Sequence, residues 1–345
     1  MSPASKTLLS GKTVLVCGGA GFMGSNFIHF LFANISGVKI INLDLLTYAG
    51  NTQNLKGLGD KPYTFMQGDI ADKSLTERLF RQADYVVNFA AETHVDRSIH
   101  KGAADFVHTN IEGVHALLEA LRASPNVKKM VQVSTDEVWG DLPLGSKKKF
   151  NEETPFKPNS PYAASKAGGD LLIRSYVKTY GLPVIVSHSV NNFGPRQFPE
   201  KLIPFFALRA MKGESLPLYG DGKNVRDWLY VDDHSSAIAT LLKKGKAGDV
   251  YAISCGEEYA NIDIAKKILG ILGKSEKLIT FVKDRPAHDR RYSVDSSKIR
   301  ALGWRPRISF DEKLKETLQW YSENKSWIKG VIKNNTNINS HISLK

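Results

Sequence analysis

The chain has 345 residues, of which 42% are hydrophobic and 24% are charged, and its formal net charge is +12. This composition is typical of a globular protein with a sizeable core. No apolar run approaches the roughly 20 residues needed to cross a bilayer. Residues 1–10 also lack the apolar core of a signal peptide. We therefore expect a cytosolic protein that does not span a membrane.

The cysteines and the positive charge exclude further classes. Cys17 and Cys255 are far apart in sequence, which predicts neither a metal site nor the disulfide framework of a secreted protein. Cys17 ends an apolar strand, so we expect a buried thiol. The basic residues are scattered, apart from the run at 147–149. This pattern favours acidic small-molecule ligands over nucleic acid or a membrane surface.

The first half of the chain alternates short apolar strands with helical patterns, which predicts βαβ units and a parallel sheet. The predicted strands are 13–17, 38–44, 63–68, 85–90, 130–134 and 184–188. One predicted helix carries apolar residues at helical spacing from Ile111 to Leu121. Another is expected to begin after Pro161, a residue that suits the first turn of a helix. The predicted fold is α/β, with a Rossmann-type doubly wound parallel sheet.

After Asn191 this rhythm breaks, because prolines and glycines become frequent and the strands become short and isolated. We predict a smaller mixed α/β substrate-binding domain over the sheet, and a return to the main sheet before residue 255. The predicted nucleotide-binding domain therefore comprises residues 11–190 and 228–254, and the substrate domain residues 191–227 and 255–330. Residues 1–10 and 331–345 are predicted to be flexible termini.

A candidate cofactor site follows the first strand, where Gly18, Gly21 and Gly24 precede a helical pattern. Glycines permit a tight turn and let backbone N–H groups approach a pyrophosphate at the helix N-terminus. Asp44 ends the second strand, twenty residues after Gly24. A carboxylate there binds the ribose hydroxyls and repels a 2′-phosphate, which favours NAD over NADP.

The candidate catalytic groups begin with Tyr162 and Lys166, which share one face of a predicted helix. A nearby ammonium and the positive nicotinamide ring are expected to favour the phenolate, which could then take a proton from an alcohol. Combined with the spacing of Gly18, Gly21 and Gly24, this pair resembles the extended short-chain dehydrogenase/reductases.

Two adjacent carboxyls narrow the chemistry. Thr135, Asp136 and Glu137 follow a central strand, whose carboxyl end faces the ligand crevice of a doubly wound sheet. A dehydrogenase or epimerase needs no acid–base pair beside the tyrosine. Removal of water across a C5–C6 bond does need one, because one group takes the C5 proton and another protonates the departing hydroxyl.

From about residue 12 to residue 327 the chain resembles the dTDP-glucose 4,6-dehydratases. The motifs that carry this resemblance are Ala-Ala-Glu-Thr-His-Val-Asp-Arg-Ser at 90–98, Ser-Thr-Asp-Glu at 134–137, Asn-Asn-Phe-Gly-Pro at 191–195, Phe-Pro-Glu-Lys-Leu-Ile-Pro at 198–204, Val-Arg-Asp-Trp-Leu-Tyr-Val at 225–231 and Asp-Arg-Pro-Ala-His-Asp-Arg-Arg-Tyr at 284–292. Their common order is more specific than any single motif.

The resemblance implies roles for individual residues. Tyr162 would deprotonate the glucose C4 hydroxyl, assisted by Lys166, which would also hold the nicotinamide ribose. Glu137 would take the C5 proton, Asp136 would protonate the leaving 6-hydroxyl, and Thr135 would hydrogen-bond near the C4 oxygen. The residues implied to hold NAD are Gly18, Gly21, Phe22, Met23, Gly24, Asp44, Thr47, Asp69, Ile70, Ala90, Ala91, Thr109, Tyr162, Lys166 and Asn192. Those implied to bind the sugar nucleotide are Thr93, Thr135, Asn191, Asn192, Lys201, Leu202, Tyr219, Arg226, Asn261, Arg285, His288 and Tyr292.

The sequence departs from the family pattern at Trp139, Thr93, Ala287 and the segment 188–190. It leaves a UDP-glucose 4,6-dehydratase open, because the acid pair does not distinguish thymine from uracil. A 4-epimerase is disfavoured because it needs no acid pair, and an NAD-sensing scaffold because the catalytic groups are intact. The resemblance also implies a homodimer formed through the helix of the Tyr–Lys pair and the preceding helix.

Overall fold

The computed structural model describes residues 8–307 and 309–333. Its strands are β1 (Thr13–Cys17), β2 (Lys39–Asp44), β3 (Tyr63–Gln67), β4 (Tyr85–Asn88), β5 (Lys129–Thr135), β6 (Val184–Ser189), β7 (Asn191–Phe193), β8 (Leu216–Tyr219), β9 (Val225–Tyr230), β10 (Val250–Ile253), β11 (Glu258–Ala260) and β12 (Ile279–Val282). The six strands predicted in the first half are confirmed as β1 to β6. The largest difference is at β4, which was predicted to reach residue 90 and ends at Asn88.

Helices connect several of these strands. They are α1 (Phe22–Asn34), α2 (Lys73–Phe80), α3 (Val95–His100), α4 (Ala104–Val107), α5 (Val114–Arg122), α6 (Pro161–Tyr180), α7 (Leu202–Lys212), α8 (Val231–Lys244), α9 (Asn261–Ile271), α10 (Ser297–Ala301), α11 (Phe310–Glu323) and α12 (Lys325–Lys333). Helix α6, predicted to begin after Pro161, begins at Pro161 itself, because the Ser160 side chain caps it by accepting a hydrogen bond from the Ala163 amide. No helix within the described ranges is long and apolar enough to cross a membrane.

The main sheet has seven strands in the order β10-β6-β5-β4-β1-β2-β3, and every pair in it is parallel. The chain order reverses between β1 and β4, which makes their carboxyl ends the switch point where doubly wound sheets form a ligand crevice. The predicted Rossmann-type architecture is therefore confirmed.

Helices cover both faces of this sheet. In β1, the fully buried Val14 and Val16 pack toward α1 and α8, whereas Leu15 and Cys17 pack toward α2, α5 and α6. This alternation follows from the two-residue period of a strand. Full burial of one such aliphatic side chain contributes roughly 1.5–3 kcal/mol, so the two cores fix the sheet on which the crevice is built. Cys17 is the buried thiol that the sequence predicted.

A second, smaller unit lies beside the carboxyl ends of the main sheet. It contains the sheet β11-β9-β7 and the pair β12-β8, and its core gathers side chains from α7, α9 and α11. Strand β10 returns to the edge of the main sheet, as expected. The predicted domain boundary at residue 228 falls inside β9, and the division into domains stays a prediction.

Two predictions from the sequence need comment: the helix around Ile111 and the flexible termini. The helix predicted around Ile111 contains a π-helical turn, His108–Gly113, before α5 begins. Packing is tight at this turn, because a Cβ atom at Gly113 would lie only 2.6 Å from Ile70 Cδ1. Of the predicted flexible termini, residues 1–7 and 334–345 lie outside the described residues. Among the rest, Leu9 is buried and residues 331–333 end α12.

Candidate active site

The glycine turn follows β1 and forms one side of the crevice at the switch point. Gly18 has a φ of +75°, and a Cβ atom there would lie 2.5 Å from the Ala90 backbone nitrogen. A Cβ atom at Gly24 would lie 2.3 Å from the Gly18 carbonyl oxygen. Helix α1 then begins with Gly21 as its N-cap and no side-chain capping bond. The amides of its first turn therefore suit a bound anion such as a pyrophosphate.

Asp44 lies at the end of β2 beside this turn. Its carboxylate accepts hydrogen bonds from the Ala20 and Leu46 amides, each at 2.8 Å. Burial raises the pKa of Asp44, while these backbone donors oppose the rise. The carboxylate is thus held rigidly at the edge of the crevice, where a ribose hydroxyl could reach its remaining lone pairs.

The predicted cofactor residues fall into two groups. A cavity of about 250 Å³ is lined by Gly18, Gly21, Phe22, Met23, Gly24, Ala91, Tyr162 and Asn192. Lys166 is buried on α6, and the remaining predicted residues lie outside this cavity, at or after the carboxyl ends of β2, β3 and β4 or on the π turn: Asp44, Thr47, Asp69, Ile70, Ala90 and Thr109. An unforeseen neighbour is His108, whose Nε2 lies 2.8 Å from an Asp69 oxygen.

Tyr162 and Lys166 lie on α6 as predicted, and both are buried. The Lys166 ammonium donates a hydrogen bond of 2.9 Å to the Val133 carbonyl oxygen on β5. The expected lowering of the tyrosine pKa is not produced by the protein itself. Burial and the Glu137 carboxylate raise the pKa of Tyr162, and a hydrogen bond with Thr135 opposes them. Burial and the neighbouring carboxyls therefore keep the pKa of Tyr162 above its ordinary value, which the sequence pattern could not reveal.

The acid pair occupies a 3-10 turn, Asp136–Trp139, directly after β5. Thr135 caps this turn: its hydroxyl accepts from the Glu137 amide and donates to Asp136 Oδ1, both at 3.3 Å. Burial and the neighbouring Glu137 raise the pKa of Asp136 well above its usual range. Burial also raises the pKa of Glu137, but Arg285 and Arg226 oppose that rise. The two carboxyls thus have different electrostatic surroundings.

A second cavity, of about 180 Å³, adjoins the first. Ten of the predicted substrate residues line it: Thr93, Asn191, Lys201, Leu202, Tyr219, Arg226, Asn261, Arg285, His288 and Tyr292. The other two, Thr135 and Asn192, line the first cavity. Glu137 lines both cavities, so the acid turn stands where they meet.

The cations of this second cavity are already partly engaged. Arg226 donates to the carbonyl oxygens of Val225 and Asp289, each at 2.8 Å, and its guanidinium lies 4.2 Å from the Tyr292 ring centre. Arg285 pairs with Asp96 at 3.4 Å. Both keep further N–H groups for a ligand, since a guanidinium carries five. Burial and the two arginines lower the pKa of His288 to about 4, so its imidazole is neutral at pH 7.

Sequence reasoning missed Asn110, which lies in the π turn. Its side-chain amide donates to the Glu92 carbonyl oxygen at 3.0 Å and to the Ser165 hydroxyl at 2.9 Å, and its oxygen accepts from the Glu92 amide. It therefore ties the segment after β4 to α6. The only available signal was Gly113 within a helical pattern, which can mark close packing.

Another missed contact reaches the glycine turn from the end of the described chain. The Trp327 indole on α12 donates to Asn54 Oδ1 at 2.7 Å. The Asn54 amide in turn donates to the Ala20 carbonyl oxygen at 2.8 Å, and Asn54 is buried. Helix α12 is thus linked through one side chain to the turn that faces the cofactor crevice.

Comparisons with known proteins agree with this geometry. The family model described as GDP-mannose 4,6 dehydratase matches residues 15–317. The chain is 50% identical over 309 residues to the low-salt glycan biosynthesis protein Agl12 of Haloferax volcanii, covering 89% of this chain and 98% of that protein. It is 48% identical over 341 residues to the dTDP-glucose 4,6-dehydratase of Xanthomonas campestris pv. campestris, covering 93% and 96%.

A solved structure shares the whole architecture. The dTDP-glucose 4,6-dehydratase DesIV of Streptomyces venezuelae, crystallised with NAD and TYD bound, superimposes with a TM-score of 0.88 at 46% identity. The match covers 92% of this chain and 99% of the DesIV chain. With its sheet order, glycine turn, Tyr162–Lys166 pair and acid turn, the chain belongs to the dTDP-glucose 4,6-dehydratase family, within the short-chain dehydrogenase/reductases of the extended type.

Proposed function

We propose that this chain converts dTDP-glucose to dTDP-4-keto-6-deoxyglucose and water, with NAD as a bound cofactor that is regenerated in each cycle. The observation that carries the proposal is the acid turn. Asp136 and Glu137 stand where the two cavities meet, and both have raised pKa values. Elimination of water needs an acid and a base at one site, whereas simple oxidation of an alcohol does not.

The residues around the first cavity fit NAD. Cβ atoms would fill the space at Gly18 and Gly24, the first turn of α1 has free amides, and Asp44 is fixed beside them. When bound, NAD would accept the hydride of the sugar C4 and return it to C6. Lys166 and the predicted cofactor residues would bind and orient the dinucleotide.

The chain's own side chains then move the protons. Tyr162 takes the proton of the C4 hydroxyl, with the Thr135 hydroxyl as its hydrogen-bond partner. The 4-keto group that results makes the C5 proton acidic. Glu137 removes that proton, since Arg285 and Arg226 favour its charged form, and returns it to C5 when hydride would reach C6. Burial, Glu137 and Asp227 raise the pKa of Asp136 well above its usual range, with Arg226 as the opposing cation, and Asp136 delivers its proton to the leaving 6-hydroxyl.

The second cavity would hold the rest of the sugar nucleotide. Arg226 and Arg285 provide fixed positive charge for the diphosphate, because a guanidinium binds phosphate oxygens in pairs. Lys201 at the N-terminus of α7 adds a third cation, and its ammonium is positioned by the Thr93 carbonyl oxygen at 2.8 Å. The remaining predicted substrate residues would complete the wall of this cavity.

A product assay by mass spectrometry tests the proposal. The purified protein is incubated in parallel with dTDP-glucose and UDP-glucose, each with catalytic NAD. Loss of one water from dTDP-glucose, without net formation of NADH, is the expected result. Preferential loss of water from UDP-glucose would mean that the substrate is a uridine nucleotide and that the proposed mechanism still holds.

Two other results would overturn the assignment. Conversion at unchanged mass would indicate the 4-epimerase, and binding of NAD without any conversion would favour the scaffold. The matched control is Tyr162→Phe, which removes only the phenolic oxygen and should leave both sugar nucleotides unconverted.

We also propose that the chain forms a homodimer through the outer faces of α5 and α6. Leu171 and Tyr180 are large apolar side chains of α6 that are 54% and 46% exposed, and such surface favours association. The Tyr176 ring lies edge-on to the rings of Tyr180 and of His115 on α5. Analytical ultracentrifugation should give twice the monomer mass, and Tyr180→Glu should lower the fraction of dimer. A monomer at micromolar concentration would contradict this proposal.

A further inference from the structure

A buried polar cluster lies behind the catalytic side chains, and none of the proton transfers uses it. Its centre is Asp170 on α6, which is 4% exposed. One carboxylate oxygen accepts a hydrogen bond of 2.6 Å from the Ser134 hydroxyl and lies 2.9 Å from His188 Nε2. Because a carboxylate only accepts, Nε2 of His188 must carry the hydrogen. Burial of such a pair is costly.

The cluster touches every segment that carries a catalytic group. Ser134 immediately precedes Thr135 on β5 and pairs in register with His188 on β6. Asp170 lies one helical turn after Lys166 and two turns after Tyr162 on α6. The helix, the end of β5 and β6 therefore meet at a single carboxylate.

The imidazole of His188 also contacts the acid turn. Its ring lies 4.7 Å from the Trp139 ring in an edge-on arrangement, and 5.7 Å from the Phe156 ring. Trp139 is the last residue of the turn that carries Asp136 and Glu137. Both His188 and Trp139 belong to the positions at which the sequence departs from the family pattern. Two of the positions that depart from the family pattern, His188 and Trp139, are therefore in contact with each other.

The charge of Asp170 matters to Lys166. Burial lowers the pKa of Lys166, and the Asp170 carboxylate opposes that effect. An ammonium in this buried place would otherwise be disfavoured. Asp170 thus supports both the position and the charge of the lysine without touching the substrate crevice.

We propose that Asp170 and His188 are positioning residues for the reaction: they fasten α6 to the end of β5 and to the 136–139 turn. Tyr162, Lys166 and the two carboxyls are then held at fixed separations. This inference rests on the proposed dehydratase function. Misplacement of a reacting group by about 1 Å can slow a reaction up to about 100-fold, so loosening the cluster should lower kcat more than it changes binding.

Two substitutions of His188 separate its two contacts. His188→Gln keeps a donor that can reach Asp170 and loses the ring on Trp139. His188→Phe keeps a ring on Trp139 and loses the donor. Asp170→Asn removes the charge with little change of shape. Thr76→Val is the structural control, because it deletes a buried hydroxyl on α2 that bonds the Asp72 carbonyl oxygen at 2.8 Å, away from the crevice.

We expect His188→Phe and Asp170→Asn to lower kcat for water loss by about tenfold, with KM and the Kd for NAD within about twofold of wild type. His188→Gln should restore most of the rate of His188→Phe. Thr76→Val should lower Tm without lowering kcat per folded molecule. The positioning role is overturned if the variants lose activity only in proportion to their folded fraction, as Thr76→Val does, or if His188→Phe retains full kcat.

Hydrogen exchange gives an answer that does not depend on the substrate. In Asp170→Asn, the amides of 136–139 and of the first turn of α6 should exchange faster than in wild type, while those of β1 stay unchanged. Unchanged exchange at 136–139 would overturn the positioning role. If wild type fails to dehydrate any sugar nucleotide, the proposed function fails by itself, and this exchange result still decides whether the cluster holds the turn.

Discussion

Two neighbouring carboxyls acquire different chemistry from their surroundings. Asp136 is 2% exposed, and its Oδ2 has no hydrogen-bond partner among residues 8–307 and 309–333. Glu137 reaches both cavities and lies near Arg285 and Arg226. A buried carboxyl beside other carboxylates favours the protonated form, whereas one between arginines favours the charged form. Adjacent positions in the sequence therefore provide an acid and a base.

Neutralising both carboxyls should stop elimination but not cofactor binding. In Asp136→Asn combined with Glu137→Gln, we expect water loss from dTDP-glucose to fall by at least about 10³-fold, since general acid–base groups contribute about 10²–10⁴ each. The Kd for NAD, measured by calorimetry, should stay within about twofold. Glu153→Gln, at an exposed loop position, serves as the control. Full activity of the double variant would refute the roles assigned here.

Ala287 is a strained residue next to His288, which lines the second cavity. Its φ is +50°, which disfavours a side chain. A non-glycine residue in this region costs roughly 1–2 kcal/mol, and glycine loses about half of that gain through chain entropy. Ala287→Gly should therefore raise the free energy of unfolding by about 0.5–1 kcal/mol in urea denaturation. Ala247→Gly, in an exposed turn, should destabilise, and equal effects of both would argue against strain.

At this scale the sequence predicts residues whose function follows from local pattern. The glycine turn, Tyr162 and Lys166 carry spacing that can be read directly from the chain. Asn110, Asp170 and His188 carry no such spacing, because each acts through contacts with residues 18 to 55 positions away. Their roles become visible only once the sheet has brought those positions together.

At the scale of elements, helix α8 contains a buried histidine. His234 is fully buried, and neither ring nitrogen has a hydrogen-bond partner within the part of the chain that the structure describes. Burial lowers its pKa to about 3. As the pH falls below about 6.5, the unfolded chain binds this proton while the folded chain does not. Stability is therefore lost progressively between pH 6.5 and about 3, and is unaffected by this group at higher pH.

Replacing this histidine should reduce the loss of unfolding free energy at acid pH. Between pH 7.5 and pH 5, wild type should lose about 2 kcal/mol more unfolding free energy than His234→Leu, from the proton that the unfolded histidine takes up. Urea denaturation at the two pH values measures this difference. Parallel pH profiles of the two proteins would contradict the burial of a neutral imidazole.

The sequence located most elements because their apolar spacing matches a strand or a helix. It failed at the π turn, where the spacing of Ile111 and Val114 is helical in either case. The residues of this turn instead make long-range contacts, of Gly113 with Ile70 and of Asn110 with Glu92. Apolar periodicity indicates which face of a helix is buried, but it does not distinguish an α-helical turn from a π-helical turn, which has one more residue.

For the molecule as a whole, the two cavities and the acid turn define a single crevice between the main sheet and the smaller unit. The strong sequence signals lie on the side of the main sheet. The smaller unit was predicted only as a mixed region, because its two small sheets pair strands far apart in the chain, such as β8 with β12. Its lining residues came from resemblance and not from pattern.

Helix α12 should influence cofactor affinity at a distance. Trp327→Phe deletes the hydrogen bond to Asn54 and leaves a buried oxygen without that donor, at a cost of about 1 kcal/mol. If this loosens the Ala20 turn, the Kd for NAD should rise by about fivefold. Trp320→Phe, which alters the neighbouring ring of the same aromatic group, is the control. Equal affinities of both variants would show that α12 does not support the turn.

The same link must also act in the opposite direction, since a coupling free energy between two sites is reciprocal. Occupation of the crevice should stabilise α12 against local unfolding, even though that helix lies outside both cavities that meet at Glu137. Proteolytic cleavage between α11 and α12 would then be slower in the presence of NAD. The end of the described chain would thus report on a ligand bound beside β1.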